Sequence, residues 1–341
     1  MVRIGMLAAM AVGLVAGAVQ AAEPEGHKQE VFAWWRGYEA GPVAKTPDGR
    51  KLRYFCQGKG APVALLESGL GSGAWSWRTV QPQMARTTRV CSYDRAGYGA
   101  SDEAKDSRDI EALAGDLAVV ANAVGGGKPV VLVGHSLGGP IVRQFAYHQP
   151  EMVAGLVLVD PSGDHQIERF SAINPDFLKA QAMSNSGTQR CAALLEKGPV
   201  TQSMPEYKMC VSPPPQDMPL DLTHFHDAYN QSPVHLRASL AEVNNALSAE
   251  SGKQADAARH PLGPKPMIVL TAGKPNPTPG MSAEDAGKIN ALWREMHWEM
   301  TALSTRARRR YVEGAGHMIQ IDQPQAVIDA LNEVVAEARG R

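Results

Sequence analysis

Residues 129–142, Pro-Val-Val-Leu-Val-Gly-His-Ser-Leu-Gly-Gly-Pro-Ile-Val, constrain the fold more than any other stretch. Val130 to Val133 is an unbroken apolar run containing three valines, which suits a strand buried on both faces. Gly134-His135-Ser136-Leu137-Gly138 follows at once, and then Ile141, Val142, Phe145 and Ala146 recur at helical spacing. A buried strand, a sharp turn between glycines and a helix form the arrangement that a G-x-S-x-G nucleophile elbow needs. Glycine suits both flanks because the turn is tight and neighbouring backbone comes close. Ser136 then stands at the N-terminus of a helix, whose dipole favours a developing negative charge.

The same alternation extends on both sides. Pro62–Glu67 reads as a buried strand ending in the Gly-rich loop Ser68-Gly69-Leu70-Gly71-Ser72-Gly73. That loop lacks the G-x-x-x-x-G-K-S/T pattern of a phosphate cradle. Trp75 to Met84 reads as a helix and Arg89–Tyr93 as a strand, followed by Asp94 and Arg95, which are expected to pin the turn through Ser101-Asp102. Ile110 to Val124 is a helix and Met152–Asp160 another buried strand. Strands alternating with helices predict an α/β fold, a mostly parallel sheet flanked by helices.

Ahead of these elements, residues 23–29 read as a polar, mobile segment, and Val31–Trp35 and Leu52–Cys56 as strands. Beyond Asp160 the rhythm breaks. Residues 164–262 hold many Met, Pro and polar residues and predict an inserted helical lid. The rhythm resumes with a strand over Pro266–Thr271, a long helix from Ala283 to about Leu303, a strand at Arg310–Val312, the loop Gly314-Ala315-Gly316-His317, and a helix over Pro324–Ala338. The expected divisions are residues 1–22, a first core part at 23–163, the lid at 164–262, and a second core part at 263–341.

Residues 1–22 read as a secretory signal peptide. Arg3 supplies the positive start, Ile4 to Val19 the apolar stretch, and Val19-Gln20-Ala21 a small-residue cleavage site. The expected protein is therefore periplasmic or secreted and not held in a membrane after cleavage; an uncleaved anchor is the alternative. An exporting route permits disulfides among the four cysteines. Cys56 and Cys91 lie in neighbouring strand-like runs, and Cys191 and Cys210 share the lid segment. Pairing within each neighbourhood is the preferred one of three connectivities, with free buried thiols as the alternative. A formal net charge of −1 argues against a nucleic-acid partner. The basic run Arg306, Arg308, Arg309, Arg310 is expected to be a solvated surface.

With Glu67-Ser68-Gly69-Leu70-Gly71, Tyr93-Asp94-Arg95-Ala96-Gly97-Tyr98-Gly99-Ala100-Ser101, the elbow and the Gly-Ala-Gly-His317 loop in this order, the chain resembles the α/β-hydrolase superfamily over residues 45–163 and 265–338. The resemblance implies Ser136 as nucleophile and His317 as its base, in the family order Ser, acid, His. It implies an oxyanion hole from the backbone N–H groups of Leu137 and Leu70, although Ser68 stands where many relatives carry His. The acid is displaced from its commonest place: Thr271-Ala272-Gly273-Lys274-Pro275-Asn276-Pro277 holds no carboxylate. Asp160, after the strand that follows the elbow helix, is the preferred acid. Asp285 is the alternative, although Ser282-Ala283-Glu284-Asp285 also reads as a helix cap, and Asp164 stands behind both.

The implied activity is carboxylic ester hydrolysis through an acyl-enzyme on a small-molecule substrate. Amide or peptide hydrolysis resembling proline iminopeptidases, or acyl transfer, is the alternative, and a non-catalytic binding protein on this fold is a further one. Epoxide hydrolases and haloalkane dehalogenases of this superfamily use an Asp nucleophile, which Ser136 does not match. His224-x-His226 lacks a third ligand at metal spacing, so neither metal nor organic cofactor is expected. The oligomeric state is left open.

Overall fold

The computed structural model describes residues 25–38, 41–215, 218, 223–276 and 281–340, so the expected signal segment lies outside the described residues. Among the described residues, eight strands form one sheet: β1 (Val43–Lys45), β2 (Lys51–Gln57), β3 (Ala64–Glu67), β4 (Val90–Tyr93), β5 (Val130–His135), β6 (Val153–Val159), β7 (Met267–Ala272) and β8 (Ala307–Val312). Their spatial order is β1-β2-β4-β3-β5-β6-β7-β8. The β1–β2 and β2–β4 pairs are antiparallel and all others are parallel. Parallel strands covered on both faces read as continuous apolar runs, and β3, β4, β5 and β7 are buried at every position.

The two faces are filled by alternate side chains. Leu65, Val130 and Leu132 face helices α3 (Ile110–Gly125) and α4 (Gly138–His148) with Leu113, Leu117, Ile141 and Phe145. Ala64, Leu66, Val131 and Val133 face the opposite layer, formed by Trp77, Val80, Met84 and the C-terminal helix over Pro324–Ala338, with Val327, Leu331 and Val334. Strand order reverses around β3, whose chain successor β4 lies on one side and β5 on the other. Loops leaving the carboxyl ends of β3 and β5 therefore diverge and open a crevice, the place where open α/β sheets hold ligands.

Two expectations for the N-terminal part are corrected. Val31–Trp35 is not a strand, and residues 25–29 are not a polar leader: both belong to helix α1 (Glu25–Tyr38). Val31, Trp34, Trp35 and Tyr38 recur at i, i+3, i+4 and i+7, and all four are buried. The helical period outweighs the β-propensity of Val and Trp. Burial of each such side chain contributes roughly 1.5–3 kcal/mol. Trp75 to Met84 is likewise not one helix: it divides into a 3₁₀ turn (Ala74–Trp77) and the short helix α2 (Gln81–Met84). Pro82 has no N–H to bond back four residues, so a helix through Val80 breaks there.

Between β6 and β7 lie α5 (Gln166–Ile173), α6 (Asp176–Leu195), α7 (Tyr207–Cys210), α8 (Thr223–Asn230), α9 (Pro233–Asn245) and α10 (Ala249–Ala258). Helix α11 (Ala283–Glu299) follows β7, and α12 (Ile319–Asp322) precedes α13, the Pro324–Ala338 helix. The cysteines form Cys56–Cys91 and Cys191–Cys210. Cys56 and Cys91 are directly opposite across the antiparallel β2–β4 pair. The second bridge joins α6 to α7. Arg306, Arg308 and Arg310 are not merely solvated: they pair with Glu333 and Glu337 of α13. Among the described residues no helix is long and apolar enough to cross a membrane.

Candidate active site

The elbow is built as its glycines require. Ser136 follows β5 with φ 51°, a left-handed backbone that L-residues rarely adopt. Such strain costs about 1–3 kcal/mol and persists only when the surroundings over-determine it. Here the Ser136 N–H donates to the Val159 carbonyl at 3.1 Å, and the Ser136 carbonyl accepts from the N–H groups of Gly139 and Ser162, each at 2.9 Å. A Cβ on Gly134 would lie 2.4 Å from the Gly138 oxygen, and one on Gly138 would lie 2.6 Å from the Glu67 oxygen. Leu137 is buried at the head of α4, where backbone N–H groups have no intrahelical acceptor.

Asp160 leaves β6 at a second positive φ, 42°, and is fully buried. Its Oδ2 accepts from His317 Nδ1 at 2.7 Å, and its Oδ1 accepts from the Ala272 N–H at 2.9 Å. Burial drives this carboxyl upward. The bond and charge of His317, the nearby His297 ring and the Ala272 N–H outweigh that and hold it below the ordinary carboxylate range. In a neutral ring, an Nδ1–H committed to Asp160 leaves the other nitrogen of His317 as a lone-pair acceptor. One third of the His317 side chain is exposed. The alternative acid Asp285 lies elsewhere: its carboxylate takes a bond from Asn174 Nδ2 at 2.9 Å in the first turn of α11, where Ser282 caps its N–H. Eight residues of helix, about 12 Å, separate it from Trp293, which touches His317. Asp164 is held by both terminal nitrogens of Arg143, at 2.9 Å each.

Sequence reasoning missed two histidines that frame this pair. One is His135 of the elbow itself. Its Nε2–H donates to the His317 carbonyl at 2.9 Å, and the two rings lie 4.8 Å apart, so the elbow is tied to the His317 loop. Burial and the neighbouring His317 push His135 down to about 3, so it stays neutral. His297 of α11 donates from Nε2 to the Pro161 carbonyl at 2.8 Å and accepts the Thr271 hydroxyl at Nδ1, at 2.9 Å. It thereby clamps the turn that carries Asp160 against β7. Burial lowers it to about 4. Trp293, one turn earlier, sets its ring edge-on to His317 at 5.7 Å. The available signal was a buried stripe at Ile289, Trp293, Met296 and His297 in an otherwise polar helix.

The loop after β3 closes the site from the other side. A Cβ on Gly69 would lie 3.1 Å from Ser136 Cβ and 2.8 Å from His135 Nδ1, so this backbone lies directly against the elbow. Ser68 Oγ donates to the Gly73 carbonyl at 2.8 Å and accepts from Trp77 Nε1 at 3.1 Å, which bends the loop around its own hydroxyl. Asp94 accepts from the Ala74 N–H at 2.9 Å and from the Tyr38 hydroxyl. Helix α1 is thus anchored to the same loop cluster. Trp75, Tyr98, Tyr229 and His235 form an adjoining aromatic group.

An α/β sheet with these loops at its carboxyl edge defines a fold class, and sequence comparison gives the family. The alpha/beta hydrolase family profile matches residues 64–330. The chain belongs to the alpha/beta hydrolase family. An uncharacterized protein of Mycobacterium tuberculosis is 34% identical over 122 residues, which span 35% of this chain and 34% of that protein. The alignment thus covers about a third of that relative's length. The epoxide hydrolase CorEH, solved without ligand, superposes with a TM-score of 0.60 at 21% identity, over 87% of this chain and 98% of that one. A thermophilic esterase from Thermogutta terrifontis superposes with a TM-score of 0.55 at 20% identity, over 87% and 97%. At these identities the structural likeness speaks for the fold alone.

Proposed function

We propose that this chain is an exported serine hydrolase that cleaves carboxylic esters through an acyl-enzyme. The observation that carries the reading is the commitment of His317 Nδ1 to Asp160 at 2.7 Å beside a strained Ser136. That bond selects the tautomer whose Nε2 can take a proton. Ser136 Oγ attacks the acyl carbon as His317 Nε2 removes its proton. The tetrahedral oxyanion is held by the N–H groups of Leu137 and Leu70. His317 then protonates the departing alcohol. Water, deprotonated by His317, attacks the acyl-enzyme and releases the acid. Helices α5–α10 act as the lid that shapes the pocket.

Ester over epoxide is favoured by the nucleophile, because epoxide-opening relatives use Asp where this chain has Ser136. Ester over aminoacyl peptide is favoured by the basic partners that several of the insertion's carboxylates already have. Glu168 is bonded to His165, Asp176 to Lys179 and Glu196 to Arg237. The completely buried Glu242 is spent on Arg95. A substrate amine would have to displace a cation from any of these. Export is supported by the two disulfides, which are compatible with an oxidising compartment.

The test is labelling by a fluorophosphonate probe, followed by turnover of p-nitrophenyl acetate against an aminoacyl p-nitroanilide. Labelling that disappears in Ser136→Ala, with preference for the ester, is the expected result. A folded wild-type protein that stays unlabelled, or labelling that survives Ser136→Ala, overturns the reading.

A further inference from the structure

Arg95 makes five hydrogen bonds, one for each of its N–H groups. Nε and Nη2 grip the Glu242 carboxylate of α9 at 2.7 and 2.8 Å. Nη1 donates to Glu67 Oε1 and to the Ser68 carbonyl, both at 2.7 Å. Nη2 also donates to the Gly69 carbonyl at 2.9 Å. Arg95, Glu67 and Glu242 are all essentially inaccessible to water. Glu242 is further held by the Tyr98 hydroxyl at 2.7 Å and by Arg108 at 3.3 Å.

The Gly69–Leu70 peptide is the centre of this arrangement. It is a trans peptide, so its C=O and N–H point to opposite sides. Fixing the Gly69 oxygen on a guanidinium therefore fixes the Leu70 N–H on the other side. A cation at the carbonyl also draws electron density along the peptide and strengthens the N–H as a donor, as chained hydrogen bonds do. The neighbouring Gly69 backbone already lies against Ser136 Cβ. Nothing in a local turn requires a fully buried guanidinium, and a buried charge persists only when it is fully paired.

We infer that Arg95 is a positioning residue that aims and polarises the Leu70 N–H toward the oxyanion, and that Glu242 couples this donor to helix α9 of the inserted segment. The inference rests on the serine-hydrolase reading above. It makes helix α9 of the insertion and the oxyanion donor one mechanical unit: a displacement of α9 moves Glu242, then Arg95, then the Gly69–Leu70 peptide.

Two variants test it. Arg95→Lys keeps the positive charge between Glu67 and Glu242 but cannot make five directed bonds. Glu242→Gln leaves Arg95 paired with Glu67 and loosens its hold on α9, together with the Tyr98 and Arg108 contacts to the same side chain. Each is measured for fluorophosphonate labelling, for kcat and KM with p-nitrophenyl acetate, for the inhibition constant of phenylboronic acid, and for Tm. Phenylboronic acid forms a tetrahedral adduct on a catalytic serine and reports the oxyanion site directly. In Arg95→Lys, kcat should fall about 10- to 100-fold with KM within about threefold, and boronate affinity should fall in parallel. In Glu242→Gln both should fall by a smaller, matching factor. If one variant fails to fold, the other carries the test. Folded variants that keep kcat and boronate affinity within about twofold overturn the inference, as does a loss confined to KM or a loss of kcat with boronate affinity intact. A wild-type protein that no probe labels overturns the hydrolase reading itself, so the two failures are distinct.

Discussion

Asp160 and His317 are 157 positions apart in sequence, and the sheet brings their side chains to 2.7 Å. Asp160 achieves this by leaving β6 in a left-handed conformation, with its second oxygen braced on the Ala272 N–H. An Asn at this position accepts through one oxygen only and invites the wrong imidazole tautomer. Asp160→Asn should therefore lower kcat by about 10⁴-fold while the protein stays folded. Asp285→Asn on α11, which alters a bond to Asn174 at the end of α5, should change kcat by less than about twofold. Steady-state kinetics of the two variants decide between them, and the reverse pattern would move the acid to Asp285.

Gly69 holds the β3 loop directly against the elbow. A methyl group there meets Ser136 Cβ and the buried His135 ring, neither of which has room to yield. Gly69→Ala should lower kcat about 10- to 100-fold, because displacing the loop misplaces the Leu70 donor. Its circular dichroism should match the wild type. Full activity in Gly69→Ala would show that the loop lies farther from the reacting atoms.

Among the described residues, burial keeps His135, His235 and His297 neutral, and acid should unfold the protein through them. Burial lowers His135 and His235 to about 3 and His297 to about 4 from an ordinary 6.5. Below pH 6.5 the unfolded chain binds protons that the folded chain refuses. Stability therefore falls as pH drops from about 6.5 toward 4, by up to about 1.4 kcal/mol per pH unit for each histidine. Urea midpoints at pH 7, 5.5 and 4.5 measure the slope. His235 packs on Tyr98 and Tyr229, and its Nδ1 has no partner. His235→Phe should flatten the slope by about one proton's worth; an unchanged slope would mean that His235 titrates alike in both states.

The Cys191–Cys210 bridge closes a segment of 19 residues between α6 and α7. Packed beside it are Leu195, Val200 and Val211, a small cluster separate from the sheet core. With so little apolar burial locally, the crosslink carries much of the order of this region. Replacing both cysteines by serine should cost about 3 kcal/mol, or as much as the local unit holds if it melts on its own. Hydrogen exchange should show the loss confined to α6 and α7. Loss spread evenly over the β-sheet would contradict a separate unit.

The sequence carried the local part of this architecture in full view. Val130–Val133 needed only its own apolar run to declare a buried strand, and Gly134 and Gly138 declared a turn that only they tolerate. Such features depend on backbone sterics within a few residues, so neighbours in sequence suffice to encode them. The misread helix α1 shows the limit of that logic. Val31, Trp34, Trp35 and Tyr38 have strand-like chemistry, and only their burial against Ala74 and Phe55 shows that the helical period prevails. Which carboxylate stands beside His317, and that His297 clamps its turn, depended on β6, β7 and β8 lying in that order with α11 across them. Arg95 and Glu242, 147 positions apart, are two unremarkable charges until the fold buries them together. Buried polar groups must find partners, and the identity of a distant partner is decided by the tertiary structure alone.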